Sequence, residues 1–260
     1  MYLASDSRIS WPTGRGHNLT WDYSRKVFAS SRQADALGYC GDVLFTAQVL
    51  SQIIDLIDVE CLFETNATPE QRFSAVSKVI RQSHSTYPPS QQHEFSVVHC
   101  SRHKEKMTGR FELFQLSWSQ ARGWESLQYD IPQQSDLVVT LGSGGASVRA
   151  SFEEWKALHG EGTSRMVFGS FCETLQRNGD SKSGGAPQLV GLYREMAAET
   201  FGIIYNGKRF VDGILVDESP WLGGIEWRNE MFERCDWRTG LRLEGAQRHA
   251  RPRGPRGKDP

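Results

Sequence analysis

The order of strand-like and helix-like segments restricts this chain to a small number of folds. Strand-like segments stand at 2–10, 26–30 and 34–40, then at 95–102, 110–119, 124–132 and 137–141, and last at 188–194, 201–205 and 210–216. Helical segments at 42–64 and 68–83 separate the first group from the second, and helices at 147–158 and 164–176 separate the second from the third. This order predicts an α+β fold: a four-layer αββα sandwich of two antiparallel sheets, each covered outside by helices.

Short local signals support several of these boundaries. Thr68 is a good helix N-cap, and Pro69 suits the first helical position. Asn206-Gly207 lies between two apolar segments and predicts a tight hairpin turn. Pro12-Thr13-Gly14 and Gly16 are expected to break the first strand-like segment.

Composition excludes several broad classes. The 260 residues are 38% hydrophobic and carry a formal net charge of −1, so the chain can bury a sizeable core and has no general attraction for nucleic acid or an anionic membrane. No apolar run approaches the roughly 18 residues needed to cross a bilayer. The N-terminal sequence lacks the basic flank and long apolar segment of a secretory signal. We therefore expect a cytoplasmic protein without a membrane or nucleic-acid partner.

Cysteine and histidine spacing gives no metal site. The five cysteines stand at 40, 61, 100, 172 and 235 without a C-x-x-C pair, and the seven histidines include no H-E-x-x-H. An odd number of widely spaced cysteines favours buried free thiols over a disulfide framework or a zinc ribbon. No metal ligand set is predicted.

Three regions are expected along the chain. Residues 1–217 contain all the predicted strands and helices, 218–246 form an extension of unknown role, and 247–260 form a basic tail rich in Pro and Gly. The tail has no bulky apolar side chain and is expected to be disordered. Such a tail can touch nucleic acid, but a solvated terminus is the simpler interpretation.

Five short motifs follow one another along residues 1–217. They are Ala4-Ser5-Asp6-Ser7-Arg8, Arg25-Lys26-Val27-Phe28, Gly38-Tyr39-Cys40-Gly41-Asp42, Leu141-Gly142-Ser143-Gly144-Gly145 and Asp180-Ser181-Lys182-Ser183-Gly184-Gly185. Taken singly each is weak, since the first resembles a surface turn and the fourth a phosphate-binding nest. Their order and spacing resemble the proteasome β-subunit family of N-terminal-nucleophile (Ntn) hydrolases, including its bacterial relatives.

This resemblance implies a threonine-type peptidase that cleaves amide bonds without a cofactor. In the family, the first residue of the mature chain is the nucleophile and its own α-amine accepts the proton. Lys26 would assist deprotonation of the nucleophile, Asp6 would keep Lys26 charged, and the Gly38 amide would bind the oxyanion. Without the motif context, Asp6 and Lys26 would be read as a surface ion pair.

The resemblance also implies a hydrogen-bonded group around the amine and a substrate channel. Ser143, Asp180 and Ser183 would orient the amine, although turn and helix-cap chemistry would also explain these residue types. The candidate substrate-binding residues are Ile9, Ser10 and Cys40. The implied partners are a peptide substrate, further copies of the chain in a homo-oligomeric ring, and an unfoldase ATPase.

In the family the nucleophile begins a strand that precedes the aspartate strand by one tight turn, so the resemblance implies a nucleophile about ten residues before Met1. Methionine has neither hydroxyl nor thiol and cannot take this role. Three explanations stay open: a start assigned too late, an inert ring or scaffold subunit, or other chemistry or a mistaken family. An amidase that acts on a small molecule is a further alternative, because the same catalytic set serves both reactions. Retention of Asp6, Lys26 and the D-x-x-S-G-G loop favours the first.

Overall fold

Helices and strands follow the predicted order through most of the chain. The computed structural model describes residues 1–13, 18–64, 66–105, 108–159, 162–217 and 220–249. The helices are α1 Val43–Asp58, α2 Pro69–Thr86, α3 Gly145–His159 and α4 Ser164–Arg177. The strands are β1 Tyr2–Ser5, β2 Ile9–Pro12, β3 Asn18–Trp21, β4 Val27–Ala29, β5 Asp35–Gly41, β6 Phe95–Glu105, β7 Thr108–Ser119, β8 Gly123–Tyr129, β9 Gln188–Leu192, β10 Ala198–Thr200, β11 Gly202–Tyr205, β12 Lys208–Val211, β13 Ile214–Leu215, β14 Trp227–Asn229 and β15 Arg234–Cys235.

Two units make up the chain, and each is built from separate stretches of sequence. The first comprises 1–5, 24–131 and 188–201, and the second comprises 6–23, 132–187 and the chain from 202 onward. The α+β class predicted from the element order is confirmed in both units. No helix in the described ranges is long and apolar enough to cross a membrane.

The first unit is organised around an antiparallel sheet in the order β4-β5-β6-β7-β8. Helices α1 and α2 cover one face of this sheet, where Leu50, Ile53, Ile80 and Leu116 are almost completely removed from solvent. Burial of each such side chain contributes about 1.5–3 kcal/mol. A second sheet of this unit, in the order β1-β9-β10, pairs Tyr2 through Ser5 with β9.

Helix α1 is shorter than the predicted segment at 42–64. The Asp42 carboxylate caps its N-terminus by accepting the Phe45 amide at 3.1 Å. After Asp58 the backbone turns, and Glu60 has a left-handed φ of 57° that no helix can continue. Apolar spacing alone did not reveal this end.

Helix α2 begins where Thr68-Pro69 predicts. The Thr68 hydroxyl accepts the Gln71 amide at 3.3 Å, and the Gln71 side chain accepts the Thr68 amide at 2.8 Å, which completes a capping box.

The Thr68 cap gives a first test of the fold. Replacing Thr68 with alanine removes one side of the capping box and should lower the free energy of unfolding by about 1 kcal/mol in urea denaturation. Thr68→Ser keeps the hydroxyl and should retain most of that stability. Equal losses in the two variants would contradict a role for the hydroxyl.

In the second unit, α3 and α4 pack as a pair. Phe152, Trp155 and Met166 form their shared apolar cluster. Gly169 lets α4 approach α3 closely, because a Cβ at this position would lie 2.6 Å from the Trp155 ring. Strands β2 and β3 form an antiparallel pair in the same unit.

The remaining strands of the second unit form a mixed sheet in the order β13-β12-β11-β14-β15. Asn206 and Gly207 have φ values of 49° and 72° and close the β11–β12 hairpin, which confirms the predicted turn. Strand β14 lies parallel to β11 and places Trp227 in the core of this sheet. Part of the extension at 218–246, whose role the sequence did not indicate, therefore completes a sheet.

Two predicted segments need correction. Residues 137–141 are not a strand, and Leu137 instead packs beside the α3–α4 cluster. The segment at 2–10 is two strands, because the Asp6 carboxylate accepts the Arg8 amide at 3.1 Å and bends the chain. The strands of the described residues fall into four hydrogen-bonded groups, three of them antiparallel and one mixed. Gly14, Gly16 and the tail from 250 lie outside the described residues.

Candidate functional site

The carboxylate of Asp180 is the centre of a polar cluster in the second unit. The Ser143 hydroxyl donates to Asp180 Oδ2 at 2.6 Å, and the Ser183 hydroxyl donates to the same oxygen at 2.8 Å. The Lys182 amide donates to Oδ1 at 3.0 Å. Partial burial raises the pKa of Asp180, but these hydrogen bonds outweigh it and hold the pKa below its usual value.

The geometry of this cluster determines what it can bind. Ser143 and Ser183 both donate their hydroxyl protons to Asp180, so each hydroxyl oxygen keeps lone pairs that can accept a further hydrogen bond. Three acceptor groups around one negative charge suit an amine or ammonium group. The structure thus brings together the three residues that the resemblance assigned to orienting an amine.

The turn before α3 must carry glycine to form this cluster. A Cβ at Gly144 would lie 2.7 Å from Ser183 Oγ and would push the hydroxyl away from Asp180. Gly142 has a φ of 80°, a conformation that side chains rarely adopt. The sequence Gly142-Ser143-Gly144 is therefore explained by backbone geometry and close approach.

Asp6 is tied to the same loop. Its Oδ2 accepts the Gly184 amide at 3.0 Å, one residue beyond Ser183. The Ser7 amide in turn donates to the Gly184 carbonyl at 3.1 Å. Asp6 and the D-x-x-S-G-G loop thus share backbone hydrogen bonds.

Arg8 is a site residue whose role the sequence did not reveal. Its guanidinium binds both carboxylate oxygens of Asp22, at 2.7 and 3.0 Å, and Nη1 donates to the Ser183 carbonyl at 3.3 Å. The hydrogen bond and charge of Asp22 raise the pKa of Arg8. The bidentate pair joins the two ends of the β2–β3 hairpin, and the Nη1 bond connects the hairpin to the loop that carries Ser183. No sequence pattern linked Asp22 to Arg8.

Lys26 lies in the first unit, directly before β4. Its amide donates to Gln188 Oε1 at 3.1 Å, and its carbonyl accepts the Tyr39 amide at 3.1 Å. Gln188 also donates to the Ser24 carbonyl at 2.7 Å, so one buried side chain holds the segment that presents Lys26. The catalytic role of Lys26 stays a prediction.

Gly38 and Cys40 lie two residues apart on β5 of the first unit. Gly38 is paired with Val27 on one side and with Val98 on the other. Because the Tyr39 amide points to the Lys26 carbonyl, alternation in the ladder directs the Gly38 amide toward β6. In this structure the Gly38 amide belongs to the sheet, and its oxyanion role stays a prediction.

The proposed substrate-channel residues Ile9 and Ser10 lie on β2 of the second unit. Ile9 is buried opposite Trp21, and Ser10 is partly exposed opposite Thr20. The structure therefore groups Asp6, Ile9, Ser10, Ser143, Asp180 and Ser183 in the second unit. Lys26, Gly38 and Cys40 lie in the first.

Comparison with solved structures reveals the fold. A structure of the helical assembly of the Anbu complex from Pseudomonas aeruginosa matches with a TM-score of 0.51 at 13% identity, covering 86% of this chain and 85% of that chain. Trypanosoma brucei HslV matches with a TM-score of 0.39 at 13% identity, covering 72% and 90% of the two chains. Thiobacillus denitrificans BPH in complex with epoxomicin matches with a TM-score of 0.45 at 11% identity, covering 74% and 92%.

Sequence comparison adds no further relative. No protein-family model matches the chain, and no curated protein matches it significantly. At these identities the likeness establishes fold alone, and of the three structures only the Pseudomonas aeruginosa complex has a TM-score above 0.5. The chain has the proteasome-type Ntn-hydrolase fold.

Proposed function

We propose that this protein is a proteasome-like Ntn hydrolase that cleaves peptide amide bonds. The observation that carries the proposal is the pair of serine hydroxyls, Ser143 and Ser183, which donate to one oxygen of Asp180. This acceptor cluster suits the α-amine of an N-terminal nucleophile, which must be oriented and must exchange a proton. The proteasome-type fold supports the same reaction.

The family resemblance supplies the roles of the other catalytic residues in this proposal. Lys26 favours the ionised nucleophile by its positive charge, and Asp6 keeps Lys26 charged and oriented. The family resemblance assigns the oxyanion donor to the Gly38 backbone amide. We take the nucleophile to be the Thr, Ser or Cys that the family resemblance requires at the start of the mature chain.

The first experiment is intact mass and N-terminal sequencing of the native protein. A mature chain that starts with Thr, Ser or Cys upstream of Met1 supports the hydrolase. If the native chain starts at Met1, this mechanism is excluded and an inert ring or scaffold subunit becomes the better explanation.

Lys26→Ala tests the catalytic set directly. In the chain extended to its mature N-terminus, we expect Lys26→Ala to reduce the kcat/KM for a fluorogenic peptide at least about 100-fold, because loss of one group that stabilises developing negative charge typically costs that much. Lys78→Ala, which removes an exposed lysine of α2, should leave the rate unchanged. Equal rates for Lys26→Ala and Lys78→Ala would remove Lys26 from the mechanism.

Assembly and cellular context complete the proposal. One fold neighbour, the Anbu complex, is described as a helical assembly, and we include a homo-oligomer in the proposal for this chain. An unfoldase ATPase as partner and a cytoplasmic location belong to the same proposal. Light scattering coupled to size-exclusion chromatography would reveal the oligomer, and a monomer at micromolar concentration would contradict it.

A further inference from the structure

The face of the first unit's large sheet that points away from α1 and α2 carries both apolar and polar side chains. Buried on this face are Ala36, Val98, Cys100 and Leu113. Partly exposed on the same face are Cys40, Ser96, Gln115, Ser117 and Tyr129, with Gln115 opposite Val98 and Tyr129 opposite Leu113. The ladder places Cys40 opposite Ser96 and Ser96 opposite Ser117. A polar group thus lies directly beside the candidate substrate-binding residue Cys40.

These polar side chains form one hydrogen-bonded network. The hydroxyls of Ser96 and Ser117 are 2.7 Å apart. The Gln115 amide nitrogen donates to Ser117 at 2.7 Å and to Ser96 at 3.4 Å. The Tyr129 hydroxyl donates to Gln115 Oε1. Four side chains from three strands are therefore held in one arrangement.

Some hydrogen-bonding groups of the network are not used within it. Only one hydroxyl proton can occupy the bond between Ser96 and Ser117, so the other serine keeps a proton to donate outward. The Tyr129 oxygen donates its proton to Gln115 and keeps a lone pair. The network therefore offers a free hydroxyl proton on one of the two serines and a free acceptor on Tyr129, and these groups lie on different strands.

The charge of the network side chains restricts the class of ligand that they can bind. The four side chains of the network are uncharged, and burial raises the pKa of Tyr129, so its phenol stays neutral. Glu125, opposite Ser117, is paired with Arg122 at 3.3 Å. A neutral network is poorly matched to an acidic or a basic ligand, which would lose hydration without gaining a counter-charge.

We propose that Ser96, Gln115, Ser117 and Tyr129 form a specificity site for the uncharged carboxamide side chain of a peptide substrate, glutamine or asparagine. This inference deepens the proposed hydrolase function, since it takes the bound carboxamide to belong to the peptide being cleaved. A carboxamide carries its donor and its acceptor on separate atoms, as the network requires, whereas an aliphatic side chain would leave both groups of the network unsatisfied.

The test has a binding arm that does not depend on catalysis. The isotope-labelled full chain is titrated with N-acetyl-glutamine methylamide and with N-acetyl-norleucine methylamide, while the backbone amide resonances of Ser96 and Ser117 are followed. We expect saturable shifts with the glutamine compound alone and about tenfold weaker binding in Ser117→Ala and in Ser96→Ala. Ser126→Ala, on the opposite face of β8, is the matched control and should bind like the unaltered chain.

The second arm measures hydrolysis by the chain extended to its mature N-terminus. We expect a higher kcat/KM for a peptide with glutamine before the cleaved bond than for the norleucine peptide, and loss of this preference in Ser117→Ala. Equal binding of both compounds, or unchanged glutamine binding in both serine variants, overturns the specificity site. Cleavage that favours norleucine overturns it too and leaves the hydrolase function intact. Glutamine binding without cleavage of either peptide supports the carboxamide site and rejects the hydrolase function.

Discussion

Replacing Arg72 with methionine is expected to lower the free energy of unfolding by about 3–5 kcal/mol. Arg72 of α2 binds the Asp35 carboxylate at 2.6 Å, and His99 of β6 binds the other carboxylate oxygen at 2.8 Å. The side chains of Asp35 and His99 are completely buried, and that of Arg72 is 7% exposed. Without Arg72 the buried Asp35 carboxylate loses its guanidinium partner and keeps His99 as its remaining ion-pair partner.

Denaturation by urea at several pH values checks the cause of this loss. Burial alone would raise the pKa of Asp35, but His99 and Arg72 outweigh it and hold the pKa below 3.8. The ionised Asp35 therefore contributes its full stabilisation above pH 3.8, the pKa of an ordinary aspartate. That stabilisation is lost as the pH falls through the lower pKa that Asp35 has in the folded protein. Arg72→Met raises the Asp35 pKa. The difference in the free energy of unfolding between the unaltered protein and Arg72→Met should therefore become smaller in acid, where Asp35 is protonated in both.

The control for Arg72→Met is Lys78→Met, which replaces an exposed cation of the same helix with the same side chain. It should change the free energy of unfolding by no more than about 0.5 kcal/mol. A loss below about 1 kcal/mol in Arg72→Met, or an equal loss in Lys78→Met, would show that the buried charge cluster contributes little.

The second large effect is expected from Gly185→Ala in the D-x-x-S-G-G loop. Gly185 has a φ of 73°, and an added Cβ would lie 2.8 Å from the Asp22 carbonyl oxygen and closer still to the Ser7 hydroxyl. The left-handed backbone costs alanine about 1–2 kcal/mol, and the overlap costs about 1–3 kcal/mol more. We expect a loss of at least about 2 kcal/mol and displacement of the loop that positions Asp180.

Gly179→Ala is the matched control six residues earlier in the same region. A Cβ at Gly179 meets nothing within 4 Å, so alanine should be neutral or should stabilise the protein by up to about 1 kcal/mol. Urea denaturation measures both variants, and peptide hydrolysis by the extended chain measures the effect on the site. Similar stability for the two variants would contradict a sterically required glycine at 185.

Residues close together in sequence allowed the most reliable predictions. Thr68-Pro69 and Asn206-Gly207 define their helix start and hairpin from their own backbone preferences. The D-x-x-S-G-G motif also contains most of its own geometry, since the Asp180 carboxylate accepts from Lys182 and Ser183 within three residues. The order and spacing of the family's motifs predicted that Ser143 belongs to the same site. Ser143 is distant from Asp180 in sequence, yet its hydroxyl donates to the Asp180 carboxylate.

Features that depend on distant partners were missed or misplaced. Residues 137–141 have a strand-like pattern, yet Leu137 contributes to the helix cluster instead. Arg8 was visible only as part of a motif, and its pairing with Asp22 depends on the β2–β3 hairpin. Trp227 lies in the extension at 218–246 and becomes buried only because β14 pairs with β11.

The sequence by itself determined the α+β class, the element order and the motif residues around Asp180, because these depend on local backbone preference, apolar spacing and neighbouring hydrogen-bonding groups. Only the tertiary structure decided that Gly184 donates to Asp6, that Arg72 and His99 share the buried Asp35, and that a polar network stands beside Cys40. Each of these depends on strands or helices far apart in the chain. The free energy of such contacts comes from burial and pairing in the folded state, which no local pattern encodes.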